Sequence, residues 1–240
     1  MAATITVNST DDSNIRNAIL TLREAILIAN GTLNVLDLTV AEQAQINGTV
    51  GTGADRDTIA FNIGAMGSQQ LIQPLSALPP ISDRAIVDGW SQGGAGYNGL
   101  PLVELSGNLA GLGMVGLDIT AGNSTLQGLA IDRFYLAGIR LQTNGGNAIV
   151  SNHIGTDLAG TVDRGNARGI WIDGVPDNRI ENNLLSGNNT IGVGLGIEIS
   201  GIAARNNQVI GNRIGTDVTG TVAIGNDYGI LISNAPRTTS

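Results

Sequence analysis

"NHIGTDLAGTVDRGNARGIWI" runs from Asn152 to Ile172, and "NRIGTDVTGTVAIGNDYGILI" runs from Asn212 to Ile232. After the leading asparagine, twelve positions coincide at one offset, among them Ile154/Ile214, Gly155/Gly215, Thr156/Thr216 and Asp157/Asp217. An echo of this length at a fixed offset marks a repeat architecture. Outward from it, the element Gly-apolar-x-apolar begins at Gly116, Gly138, Gly169, Gly196 and Gly229. A second element, Asn-x-apolar-x-x-Asn-x-apolar, begins at Asn147, Asn178 and Asn207, with a looser copy from Asn123. The steps between successive glycine elements are 22, 31, 27 and 33 residues, and the two longest contain Ile-Gly-Thr-Asp. The shortest step reads as one bare coil, and the longest as coils carrying an insertion of about ten residues. The echo therefore spans two coils, one with the insertion and one without.

Strands this short bury an apolar face only by stacking on neighbours, coil upon coil at about 4.8 Å. The expected fold is all-β, a right-handed parallel β-helix with an N-terminal capping α-helix. Residues 59–240 should form about six or seven coils, and residues 1–58 a strand, the capping helix and a loop. Asparagines recurring at one corner should stack as a ladder that satisfies turn backbone. "NDYGILISNAPRTTS" stops inside a coil, so the solenoid is expected to be truncated at its C-terminal end, where open strand edges favour end-to-end self-association.

Composition agrees with a solenoid. Hydrophobic residues reach 42% but aromatics only 3%, so the core must be aliphatic. Thirty-five glycines and 13% charged residues favour many tight turns over charged helices. The net charge is −8 with no basic stretch, which argues against a nucleic-acid partner. All twelve basic residues are arginine, which excludes Schiff-base, P-loop and isopeptide chemistry that needs lysine. The chain has no cysteine, which excludes thiolate catalysis and Cys-ligated metals. A single histidine, His153, leaves little room for a triad or a histidine-rich metal site. No apolar run is long enough to span a membrane, and the N-terminus shows no signal-peptide pattern.

Near the N-terminus, Ile15, Ala18, Ile19, Leu22, Ala25, Ile26 and Ala29 recur at helical spacing, predicting one long helix over Asn14–Asn30. Asp12 or Ser13 would cap its start, and Gly31 would take the left-handed position after its end. Residues 31–57 are weakly patterned and read as a loop with a short helix or strand. Thr4–Asn8 and Asp57–Ile63 read as strands. Two more follow, broken by Pro74, Pro79 and Pro80.

Within the expected helix, "LTLREAILIANG" (Leu20–Gly31) resembles the N-terminal signature of bacterial CSLREA-domain proteins, Cys-Ser/Thr-Leu-Arg-Glu-Ala-Ile. The repeated Ile-Gly-Thr-Asp segments, "ISDRAIVDGWSQGGAGYN" and "GLDITAGNSTLQGLAIDRF" resemble the β-helix repeats that follow it in large surface proteins. The resemblance covers nearly the whole chain. It implies a pectate-lyase-like solenoid in a secreted or cell-surface protein, and it hands over no catalytic residues. Leu20 stands where the signature has cysteine.

Candidate chemistry follows from strand alternation. If the apolar positions of "GIRL" and "GIWI" point inward, one outward column reads Asp118, Arg140, Trp171, Glu198, Leu231. A second reads Thr120, Gln142, Asp173, Ser200, Ser233. Arg140, Trp171, Asp173 and Glu198 then gather within about 10 Å of solenoid axis. An aromatic plane beside carboxylates and a guanidinium suits a polysaccharide or cell-surface glycan as partner. In an enzyme, Asp173 and Glu198 would be the acid–base pair of a polysaccharide lyase or hydrolase. The favoured reading is a mixed polar surface with one exposed Trp, on a non-catalytic structural or adhesive module. Asp157 and Asp217 are weak calcium candidates, since each inserted segment repeats only one carboxylate; closing their own turns is the preferred role. No other cofactor is expected. His153, matched by Arg213 in the other copy, reads as exposed. Arg23 and Glu24 read as structural, pairing with the end of the solenoid.

Overall fold

The structure, a computed structural model, describes residues 2–51, 55–189 and 192–233. Its apolar residues fall into three columns because three parallel sheets share one interior. The first sheet stacks Thr4–Val7, Asp57–Phe61, Ala85–Asp88, Thr125–Gln127, Ala148–Val150, Arg179–Glu181 and Gln208–Ile210 in parallel. Ile46–Asn47 joins it antiparallel, beside Thr4–Val7. The second stacks Val115–Ile119, Ala137–Leu141, Arg168–Asp173, Leu195–Ser200 and Tyr228–Ser233. The third stacks Gln70–Ile72, Val103–Ser106, Leu129–Asp132, His153–Ile154, Leu184–Leu185 and Arg213–Ile214. From Val115 onward the chain visits the second, first and third sheets in that order, layer after layer.

Register aligns the interior. Leu117, Ile139, Ile170 and Ile197 stack in the second sheet. Val87, Leu126, Ile149 and Ile180 stack in the first, and Leu105, Ile131, Ile154 and Leu185 in the third. All of these are buried, so each layer supplies the neighbour that the previous one lacks. The glycines of the Gly-apolar element are there for space. A Cβ on Gly169 would lie 2.5 Å from the Gly196 carbonyl oxygen, and one on Gly196 2.5 Å from that of Gly229.

Asparagines line three corners, where one was expected. Asn147, Asn178 and Asn207 form the first ladder, each Nδ2 donating to the next Oδ1 at 3.0 and 2.8 Å. Asn152, Asn183 and Asn212 form the second, at 3.1 and 3.0 Å. Asn166, Asn188 and Asn226 form the third, at 3.0 and 3.1 Å. Each Oδ1 also accepts a backbone N–H from the layer before, as Asn147 does from Ser124 at 3.0 Å. The inserted segments fold as small hairpins, bridged Thr156 to Asp163 and Thr216 to Ala223. The second rests on the first through Val218 N–H to Gly160 O, 2.9 Å.

The N-terminal helix is shorter than its apolar spacing predicts. Helix α1 spans Leu22–Ala29, with Thr21 as N-cap and a reciprocal capping box to Glu24. Ile15 is exposed, so its place in the helical pattern was coincidence. Gly31 does take a left-handed φ of 69°. Ala25, Ile26 and Ala29 are buried in the common core, against the first-sheet strands Thr4–Val7 and Asp57–Phe61. Leu20, the departure from the cysteine signature, is fully buried. Arg23 holds Asp12 through two hydrogen bonds of 2.8 and 2.9 Å and reaches Ala77 O at 2.7 Å. Glu24 instead pairs with Arg16 at 2.6 Å, inside the N-terminal segment. A second short helix, α2, spans Val40–Gln43. Residues 52–54 of the expected loop, and residues 234–240 of the expected last coil, lie outside the described residues. No helix among the described residues is long and apolar enough to cross a membrane.

Candidate functional site

The second sheet positions the four residues singled out from sequence. Arg140 stands opposite Asp118 and Trp171, and Trp171 opposite Glu198, as the outward column requires. Asp173 stands opposite Ser200 in the next column. The four do share one face, and they are committed to one another. Arg140 ion-pairs with Asp173. Its Nε has no acceptor, and its guanidinium lies over the Trp171 ring instead, 4.3 Å from the centroid. Trp171 Nε1 donates to Ser200 Oγ at 2.9 Å. Gln142 donates to both oxygens of Asp118 at 2.9 and 2.8 Å. Burial raises the Asp118 carboxyl above its ordinary value, against the pull of Gln142 and Arg140.

Arg168 completes this face and was not foreseen. It ion-pairs with Glu198 and lies 5.1 Å from the Trp171 centroid. It is the first residue of Arg168–Asp173, and alternation counted back from Trp171 would put it on the inward side. The charged side chains of this face are partly exposed, from 13% for Glu198 to 32% for Asp173, and four clefts elsewhere on the molecule are lined by other residues.

Asp157 and Asp217 close their own hairpins. Asp157 Oδ1 accepts from the N–H groups of Thr161 and Val162 at 2.8 and 2.9 Å. Asp217 Oδ1 accepts from those of Thr221 and Val222 at 3.0 and 3.1 Å, and both its oxygens accept from the Thr219 hydroxyl. These bonds, led by the Val222 amide, hold the Asp217 carboxyl below its ordinary value. Among the described residues, no group of three or more His, Cys, Asp or Glu side chains could hold a metal ion.

Two features escaped the sequence. The first is a buried carboxyl pair on the third sheet, Glu104 and Asp132, with exposures of 4% and 0%. Arg164, from the end of the first inserted hairpin, pairs with Glu104 at 2.5 Å and stands 3.9 Å from Asp132. Arg133 lies 4.0 Å from Glu104 and 3.9 Å from Asp132. Neither Asp132 oxygen makes a hydrogen bond of good geometry, although Ser106 stands opposite it in register. Burial first, then the Glu104 charge, push the Asp132 carboxyl up to about 7. With no exposed atom it cannot meet a substrate, so the pair anchors the hairpin.

The second is His153, which is buried at 6% exposure, not exposed as its pairing with Arg213 implied. The repeat misleads here because the two copies sit at different depths. His153 is covered by Gly160, Leu184 and the second hairpin's Val218, while Arg213 lies in the last third-sheet strand among the described residues. Burial lowers the imidazole's proton affinity. Its Nδ1 is buried without a partner beside a cleft of about 130 Å³ that Trp90 and Arg213 also line.

No protein-family model matches the chain, and no curated protein or solved structure resembles it at a significant level.

Proposed function

We propose that the three sheets are the faces of a right-handed parallel β-helix, and that the chain is a non-catalytic structural or adhesive module of a secreted or cell-surface protein. The fixed order of visits to three parallel sheets supports the fold, since crossovers between parallel strands are right-handed in about 98% of cases. The Leu20–Gly31 and Ile-Gly-Thr-Asp resemblances support the surface setting.

One observation carries the non-catalytic reading. On the face richest in catalytic residue types, Asp173 and Glu198 are each held by an arginine. A general acid or base must reach its proton at hydrogen-bond distance. A carboxylate locked against a guanidinium is poorly placed to do so. A polysaccharide lyase, a hydrolase or a carbohydrate-binding face would be favoured by a groove there.

The test is incubation with a panel of neutral and acidic polysaccharides, assayed for new reducing ends and unsaturated products. No turnover is expected, and Trp171→Ala and Glu198→Gln should leave any glycan retention unchanged. Turnover that Glu198→Gln lowers by about 10² or more would establish the enzyme reading instead.

A further inference from the structure

The outward side of the first sheet carries a cleft that the sequence did not single out. Asp88 and Gln127 stand there in register on neighbouring strands, and the chain after Asp88 lines the rest with a 3-10 turn, Gly89–Gly93, and a bend over residues 94–96. The chain has two tryptophans and three tyrosines, and one of each, Trp90 and Tyr97, lines this cleft, so its scarce aromatic surface gathers here. Both rings are tied at their polar tips. Trp90 Nε1 donates to Gly99 O at 3.1 Å, and the Tyr97 hydroxyl donates to Leu100 O at 2.7 Å. Both are also seated on backbone, since a Cβ on Gly128 would lie 2.7 Å from Trp90 Cγ, and one on Gly93 2.2 Å from Tyr97 Cγ. Only glycine permits that approach, and the rings so held are half-buried rather than buried. Asp88 Oδ1 accepts from Trp90 N at 3.2 Å and from Gln127 Nε2 at 3.1 Å. Asp88 Oδ2 and Gln127 Oε1 have no donor among the described residues, and neither is among the atoms shut off from solvent. The cleft's volume, about 400 Å³, falls in the range of small-molecule sites, about 300–1,000 Å³.

We propose that this cleft binds a neutral sugar ring, a hexose unit of a glycan. An apolar face of the pyranose lies on the Trp90 and Tyr97 rings, and its hydroxyls donate to Asp88 Oδ2 and Gln127 Oε1. Aromatic walls beside open acceptor oxygens match a ligand that is apolar on its faces and rich in hydroxyl donors at its rim. The neutral class follows from charge. No basic residue lines the cleft and Asp88 has no ion pair among the described residues, so an acidic sugar would meet an uncompensated carboxylate. A tetramethylammonium group would suit the rings and Asp88, but it carries no donor for Gln127 Oε1. The inference rests on the non-catalytic reading and gives its adhesive part a location.

The chain's two tryptophans give two indole N–H resonances, and Trp171→Ala assigns them by deleting one. The experiment titrates the untagged, isotope-labelled chain with methyl glucoside, methyl galactoside and methyl mannoside and follows both resonances by nuclear magnetic resonance. Sodium glucuronate and tetramethylammonium chloride serve as charged controls. A saturable shift of the Trp90 resonance is expected with at least one methyl glycoside, while the Trp171 resonance stays in place. Gln127→Ala should weaken that binding about fivefold, the loss of one hydrogen bond, and both controls should bind more weakly than the sugar. Gln127 is half-buried on the outward side of its strand, so the variant keeps the fold, and an unchanged circular dichroism spectrum checks this. Absence of a saturable Trp90 shift with all three glycosides overturns the site, as does equal binding by Gln127→Ala or equal binding of either control. A shift of the Trp171 resonance in its place would put binding on the second sheet and overturn the site as well. None of these results bears on turnover. Turnover of a polysaccharide would overturn the non-catalytic reading and leave the cleft to be judged by the same titration.

Discussion

Asp132 sits where a carboxylate is least at home: no exposure, no hydrogen bond of good geometry, and Glu104 as its neighbour. Ser106 and Glu104 face it from the adjoining strand, Arg164 from the hairpin and Arg133 from the next position along the chain. Its folded value of about 7 lies above the ordinary 3.8, so between those values the folded chain keeps a proton that the unfolded chain releases. Stability from this group is therefore full below the lower value and is lost as pH rises towards the upper one. Glu42 works in the opposite sense. Burial opposes its ionisation, but the Thr39 and Asn17 amides, the Thr39 hydroxyl and Arg16 outweigh it and hold the carboxyl below 4.5. Its contribution is lost only as pH falls below that range. Asp132→Asn removes the first effect alone. Its melting temperature should exceed the wild type's by a few degrees at about pH 8 and match it within a degree or two at about pH 5. Equal melting temperatures at both values would show that Asp132 ionises without cost. None of this was legible in "LAIDRF", because the partners that set the environment come from residues 104, 106 and 164. The Gly-apolar element was legible, since its glycine answers to a neighbour at the equivalent place one layer on.

At the scale of the element, a ladder asparagine joins two layers with one side chain. Asn178 Oδ1 accepts from Asn147 N and Nδ2, both at 3.0 Å, and its own Nδ2 donates to Asn207 Oδ1 at 2.8 Å and to Pro176 O at 3.1 Å. Asn178→Ala leaves buried donors and acceptors unmatched on both sides, at a cost of about 2–4 kcal/mol. Asn189→Ala, at an exposed position, should cost about 0.5 kcal/mol or less. Denaturant unfolding of the two variants measures the contrast, and similar small losses would mean that water replaces the ladder bonds. Two of the three ladders were written in the Asn-x-apolar-x-x-Asn spacing, which sets an asparagine on either side of a three-residue strand. The third escaped because Asn188 lies in the coil without an insertion, at a different offset from Asn166 and Asn226. The helix shows the reverse error. "TLRE" at Thr21–Glu24 is a capping-box signature that marks the true start, whereas Ile15, Ala18 and Ile19 supplied apolar spacing with no core to face.

At the scale of the whole molecule the two ends differ. At one, α1 packs its buried side chains against Thr4–Val7 and Asp57–Phe61. At the other, the interior column comes to the surface. Ile170 and Ile197 are 0% exposed and Ile172 and Ile199 are buried, but Ile230 and Ile232, the next positions in those two columns, are 43% and 63% exposed. Tyr228–Ser233, Gln208–Ile210 and Arg213–Ile214 are the outermost described strands of their sheets at this end, beside that apolar patch. Aliphatic side chains exposed together on a strand are a template for another chain. Two copies meeting at this end would bury the isoleucines in a self-complementary contact. Sedimentation velocity of the 240-residue chain should therefore show a species larger than the monomer that grows with concentration. Ile232→Lys places a charge in that contact and should return the chain to monomer, while Ile15→Lys, at an exposed site in the N-terminal segment, should not. A wild-type chain that remains monomeric at every attainable concentration would refute the contact, as would association that Ile232→Lys leaves unchanged.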